Sequence, residues 1–98
     1  MYLKVRESPE GNVVAACDRE LIGKVLEEGD SVLDLKAHSS FYVGEIAGQE
    51  QVRAALGDFA SANLVGEKAV GVALKEGIVQ KRDIKYINGV PHLQIYRL

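Results

Sequence analysis

Asn63, Glu67, Cys17, Asp18, His38 and His92 are the residues of this 98-residue chain whose types and placement bear most directly on chemistry. Asn63 and Glu67 stand four apart in a stretch, Gln49 to Glu76, where Val52, Leu56 and Phe59 recur at helical spacing. On a helix both fall within about 60° of the stripe continued by Phe59, Val70 and Leu74. Lys68 and Lys75 take the opposite side. An amide and a carboxylate beside an apolar face need partners, because a buried unpaired carboxylate is neutralised or destabilising. Two readings are open: a polar network locking helix to sheet, or a polar pocket open to a ligand. Cys17 ends an apolar run. It reads as a small buried hydrophobe, or as an activated thiolate if it sits at a helix N-terminus. Asp18 then occupies the N-cap position of a short helix over Arg19–Leu26. His92 lies in a strand, off its core face and beside Lys85; a solvated strand histidine and a site residue are both consistent with that placement. His38, in the loop segment AHSS, is the weaker of the two histidines.

The remaining motifs carry less. Gly23-Lys24 resembles the end of a phosphate loop, but Asp18 stands where the first glycine belongs, and Val25 where Ser or Thr should stand. There is no GxGxxG. Two histidines and one cysteine without close spacing predict no zinc or other metal site. No catalytic dyad or triad is legible and no cofactor is expected, so the chain leans away from enzymes.

The elements that must position these residues emerge from pattern and punctuation. Leu3 and Val5 alternate with Tyr2, Lys4 and Arg6, and Pro9, Gly11 and Asn12 mark a turn, so residues 2–7 and 12–17 predict a hairpin. VLDL at 32–35 is a strand candidate. Residues 37–48 are irregular, anchored by Phe41 and Tyr42. Residues 49–76 predict helix, interrupted at Gly57-Asp58, with Asp58 or Ser61 capping a second helix that ends at Gly77. Asn88-Gly89 is the preferred pair for a type I′ turn. That register sets Ile87 opposite Val90 and Lys85 opposite His92. Ile84, Tyr86, Leu93 and Ile95 then form the core face. Lys85, Ile87, Val90, His92, Gln94 and Tyr96 form the other. The whole predicts one α+β domain over residues 1–98, with a mainly antiparallel sheet. Its N-terminal hairpin and C-terminal Asn-Gly hairpin pack on two central helices.

Composition is that of an ordinary globular chain, 47% hydrophobic and 27% charged. The longest apolar run, Val13 to Cys17, is far below the ~20 residues of a membrane span. A lone cysteine and the absence of an apolar h-region in MYLKVRESPE point to the cytoplasm. The net charge of −2 hides an asymmetry. Residues 1–50 hold five basic and ten acidic side chains; residues 51–98 hold seven and four. Glu27, Glu28, Asp30 and Asp34 crowd one segment. Lys81, Arg82, Lys85 and Arg97 gather around the C-terminal hairpin. If the first strand joins the same sheet in matching orientation, Lys4 and Arg6 extend a face with Lys85, His92 and Tyr96. Cations interleaved with aromatic rings are what RNA-binding sheets use.

AACDRELIGK at 15–24, FYVGE at 41–45, ASANLVGEKAV at 60–70 and INGVPHLQIYRL at 87–98 together resemble a family of small archaeal proteins, the domain of unknown function 424. NLVGE with GVPH further along is the most specific part, and the likeness spans nearly the whole chain. The resemblance implies an archaeal source, a compact fold and an association with translation genes, but no activity. The expectation is a non-catalytic binding or accessory module. It contacts RNA or a ribonucleoprotein of the translation apparatus through Lys4, Arg6, Lys85, His92, Tyr96 and Arg97. The alternatives are a protein–protein adaptor or homodimer, and a small enzyme whose pocket holds Asn63, Glu67 and His92 with Cys17 and Asp18 nearby. The enzyme reading requires Glu67 and His92 to converge on one hollow.

Overall fold

The computed structural model describes residues 1–97. Its first two strands, β1 (Tyr2–Ser8) and β2 (Gly11–Cys17), form the expected hairpin, paired from Tyr2 opposite Cys17 to Ser8 opposite Gly11. After a 3-10 turn at Arg19–Leu21 come β3 (Val25–Glu28) and β4 (Ser31–Asp34), which form a two-stranded sheet of their own. The helix expected over Arg19–Leu26 is therefore reduced to one turn. Gly23 interrupts it, and Leu26 turns inward as a strand residue opposite Leu33.

A single helical turn, α1 (Ser39–Tyr42), and the two-residue β5 (Glu45–Ile46) occupy the segment expected to be irregular, with Tyr42 buried in it. Next is α2 (Gln49–Ala55), whose first turn is closed by Gln51 Oε1 accepting from the Gly48 amide at 2.9 Å. The chain breaks at Gly57-Asp58 as expected, but the next element is a strand and not a helix. Residues Ser61–Val65 are β6, and only Glu67–Lys75 are helical, as α3. In β6 Ala62 and Leu64 point to one face of the sheet while Ser61, Asn63 and Val65 point to the other. The change of direction between β6 and α3 is made at Gly66, with φ 103. A further 3-10 turn at Lys81–Asp83 leads into β7 (Lys85–Ile87) and β8 (Val90–Tyr96). Asn88 and Gly89 join these strands with φ 51 and 79, the positive pair that a type I′ turn requires. The expected register is present, Ile87 opposite Val90 and Lys85 opposite His92.

The large sheet runs β5-β1-β2-β6-β8-β7. Every neighbouring pair is antiparallel except β2 with β6. Both faces are covered, by different material. On one side Val14, Ala16, Leu64 and Leu93 pack against Val52, Leu56 and Phe59 and against Ala69, Val70 and Ala73 of α3. On the other, Ala15, Cys17, Val65 and Ile87 pack against Leu21, Leu26, Leu35 and Tyr42. The result is an α+β domain with a mostly antiparallel sheet. Two details of the expected core faces change. Val5 and Tyr86 lie where cover is thin and are 45% and 58% exposed, whereas Ile87, assigned to the polar face, is buried.

Candidate functional site: a cleft on the hairpin side of the sheet

Strand alternation decides what the hairpin-side face carries. Successive residues point to opposite sides, so a row across β2, β6, β8 and β7 reads Cys17, Val65, His92, Lys85. The next row is Ala15, Asn63, Gln94, and beyond it Val13, Ser61, Tyr96. The apolar start of the first two rows, Cys17, Val65 and Ala15, is buried. Further along, polar side chains emerge, and Tyr96 is 70% exposed.

Over these rows hangs the β3–β4 hairpin, whose ladder continues past β4 and which is tied to the β7–β8 turn through Glu28. Gly23 donates to the Leu35 carbonyl at 2.9 Å, Leu35 to that of Lys24 at 2.8 Å, and the Asn88 amide to Glu28 Oε1 at 2.7 Å. α1 is held beside it: Lys4 Nζ donates to the Ser40 carbonyl at 2.8 Å and Arg6 Nη2 to the same oxygen at 3.3 Å. The Arg6 guanidinium also lies 5.1 Å from the Phe41 ring centre. Lys4 and Arg6 thus share the face predicted for them, but they fasten α1 to the sheet.

Between β4 and β8 lie two adjoining hollows that share His92 and Gln94 as their common wall. One, of about 340 Å³, is lined by Leu33, Asp34, His38, Phe41, Tyr42 and Asn63 as well. The other, of about 330 Å³, adds Ser31, Val32, Asp83, Lys85, Ile87 and Tyr96. Gln94 Nε2 donates to Asn63 Oδ1 at 3.0 Å, so the floor is a linked pair of amides. His92 Nε2 is buried without a hydrogen-bond partner among the described residues. Burial, and then the nearby Lys85 charge, hold this imidazole below the usual histidine range, which favours the neutral ring. Asp34 is committed locally: its Oδ1 accepts from the amides of Ala37 at 2.7 Å and Lys36 at 3.0 Å. The Ala37 bond first of all keeps its carboxyl below the ordinary range. Among the described residues no three His, Cys, Asp or Glu side chains come together as a metal-ligand set.

The other predicted site residues lie elsewhere. Glu67 is exposed, at the first position of α3, in a groove of about 540 Å³ between α2 and α3. The groove is on the opposite side of the sheet from His92. Asn63 and Glu67 are not helix neighbours, because Asn63 is a strand residue, so the convergence required by the enzyme reading does not occur. Cys17 is buried, its Sγ placed 3.3 Å from the Asp18 carbonyl, and Val65 stands between it and His92. Burial, with the neighbouring Asp18 charge, pushes its thiol up to about 12, the reverse of an activated thiolate. Arg97 points to the helix side, its guanidinium 4.0 Å from the Phe59 ring centre.

Asp18 is a cap, but of a different helix. It is only 3% exposed. Its carboxylate accepts from the amides of Lys68 at 3.0 Å and Ala69 at 2.9 Å, in the first turn of α3, fifty residues further along. A Cβ on Gly66 would fall 2.3 Å from Asp18 Cγ. The segments AACD and LVGEK, both among those that resemble the family, hold the two halves of this joint, and no spacing in the sequence links them.

Of the cleft residues, the Asn-Gly register places His92, Lys85 and Tyr96 on this face from sequence alone. It says nothing of Asp34 and Asp83. The usable signal is alternation in VLDL, which turns Leu33 inward and leaves Asp34 at the rim.

Fold and cleft together define a class: a small α+β domain with a mixed sheet closed by helices on one side and half-closed by a hairpin on the other. The chain belongs to the family described as protein of unknown function (DUF424), whose model matches residues 5–98. It is similar to a solved structure, the crystal structure of an uncharacterized conserved protein from Methanopyrus kandleri. The TM-score is 0.78 at 26% identity, over 97% of this chain and 89% of that one. No curated protein matches. None of the helices described is long and apolar enough to cross a membrane.

Proposed function

We propose that this domain is a binding module that contacts single-stranded RNA, free or displayed on a ribonucleoprotein of the translation apparatus, through the hairpin-side face of its sheet. The observation that carries the reading is the row of exposed and half-exposed side chains Lys85, His92, Gln94 and Tyr96 along one face of β7 and β8, bordered by hollows. An exposed tyrosine ring on a strand is a stacking platform, contributing about 1–3 kcal/mol per stacked base. Lys85 supplies a cation for a phosphate, and the amides offer donors and acceptors to base edges. The cation count of this face is low, since Lys4 and Arg6 bond α1 and Arg97 lies behind the sheet. Binding should therefore depend on salt only gently, with a slope of log K against log salt near about −1 for one or two phosphate contacts.

The test is a salt titration of a fluorescent single-stranded RNA, and of purified ribosomal subunits, with the wild-type chain and Lys85→Glu. The reading expects measurable affinity, a shallow negative slope, and a smaller slope with much weaker binding in the variant. Absence of binding to both at the lowest salt, or identical behaviour of the variant, contradicts it.

A second reading, contact with a protein, is favoured by one observation. Val25 and Val32, which share the outer side of the β3–β4 hairpin, are 48% and 59% exposed. Val25→Lys should weaken capture of a protein partner and leave RNA affinity unchanged, because Val25 lines neither hollow.

A further inference from the structure

We propose that the hollow between α1, β4 and β8 receives one unstacked nucleobase, so that the RNA contact is made by inserting a base rather than by lying flat on the sheet. This rests on the RNA reading above and specifies its centre. Three independent features of the hollow converge on a flat heteroaromatic ligand. Its upper wall is apolar and ring-bearing, with Phe41 and Tyr42 set edge to face at 5.1 Å between centres and Leu33 beside them. Its floor is polar, because Gln94 and Asn63 use only one N–H and one oxygen on each other. That leaves the second Gln94 N–H, the Gln94 oxygen and the Asn63 amide protons for a ligand edge. Its third wall is the half-buried ring of His92, whose Nε2 has no partner among the described residues.

Size and charge narrow the class. About 340 Å³ is at the small end of ligand pockets, enough for one ring system and too little for a folded peptide segment. Among the described residues no Lys or Arg lines this hollow. A phosphate therefore meets no lysine or arginine inside it and has the Asp34 carboxylate on the same wall, whereas a base presents donors and acceptors on a neutral ring. The adjoining hollow beyond His92 holds the cation and the exposed ring, Lys85 and Tyr96. A chain with one base seated beside His92 thus has its next phosphate directed toward Lys85 and its next base toward Tyr96. The footprint is a dinucleotide.

The experiment is an abasic scan. A fluorescent single-stranded RNA hexamer is titrated with the full chain, then six derivatives are titrated, each lacking one base but keeping the sugar-phosphate backbone. Base insertion expects one position, or two adjacent ones, where removal weakens binding at least tenfold, the others changing less than threefold. In Gln94→Ala, and separately in Phe41→Ala, that contrast should disappear while residual salt-dependent binding persists. An intact hexamer that binds with a salt slope but shows an even profile across all six derivatives overturns the inserted base and leaves the RNA reading standing. An intact hexamer that does not bind at all overturns both. Ribose 5-phosphate serves as the backbone-only probe. If it perturbs the His92 and Gln94 side-chain resonances as strongly as uridine 5′-monophosphate does, the hollow recognises phosphate and the inference fails.

Discussion

The two faces of one sheet are built from the same strands and have opposite characters. On the helix side Leu64 and Leu93 meet α2 and α3, and the buried carboxylate there, Asp18, is engaged by the first-turn amides of α3. On the hairpin side their sequence neighbours Asn63, His92 and Gln94 border hollows, and one imidazole nitrogen has no partner among the described residues. The difference comes from what covers each face. Helices α2 and α3 lie along the strands of that side, and the strand residues packed beneath them are apolar. Two four-residue strands and one helical turn cover only part of the other face, where Ala15, Cys17, Val65 and Ile87 are sealed. Polarity begins where that cover stops. Buried surface here belongs to architecture, and the half-covered surface is what remains for recognition.

This contrast makes the helix side fragile and the cleft side tolerant. The largest effect is expected at the joint between β6 and α3. Gly66→Ala would place a Cβ against the Asp18 carboxylate at φ 103 and should cost about 3–5 kcal/mol in denaturant melts. Asp18→Ala leaves two first-turn amides of α3 without their acceptor and should cost about 2–3 kcal/mol. Because the two residues touch, the double variant should lose less than the two costs added, in a double-mutant cycle.

A smaller effect comes from His92. Its folded-state proton affinity lies below that of an ordinary histidine, so the unfolded chain binds the proton more readily. Stability from this source is complete above the unfolded value of 6.5 and falls as pH drops through and below it. His92→Gln should flatten the stability profile between about pH 7 and about pH 5 by a fraction of a kcal/mol, since the group is only part-buried. The smallest change is expected for Tyr96→Ala, which should leave the melting curve within about 0.5 kcal/mol of wild type while weakening RNA binding. A large loss of stability in that variant would mean that the exposed face is architectural after all.

How far these features are legible in sequence depends on the range of the interactions that make them. The Asn88-Gly89 turn is local and demands positive φ at both residues, so it fixes the Lys85–His92 register without any knowledge of the rest. Residues 61–65 read as helix although Ser61, Ala62, Asn63 and Leu64 alternate polar with apolar, because so short a period-two run is outweighed by the flanking helical pattern. Phe59, Val70 and Leu74 then fall by coincidence at helical intervals across it. Gly66 is the available signal that the segment is divided. Asp18 is legible as a cap, but no local rule states which helix it serves. Arg97 joins the C-terminal cations by sequence proximity alone, although alternation from Tyr96 argues for the opposite face. The cleft requires the β3–β4 hairpin to fold over β8, a non-local event with no spacing signature.

Whether the half-covered face or the helix side meets RNA is decided by mapping backbone and side-chain NMR shifts of the full chain during titration with a single-stranded RNA hexamer. Perturbations are expected at Lys85, His92, Gln94, Tyr96 and Asn63, with unchanged resonances for Arg53, Gly71 and Lys75 in the groove between α2 and α3. Shifts concentrated in that groove, or none at millimolar RNA, would contradict contact through the half-covered face.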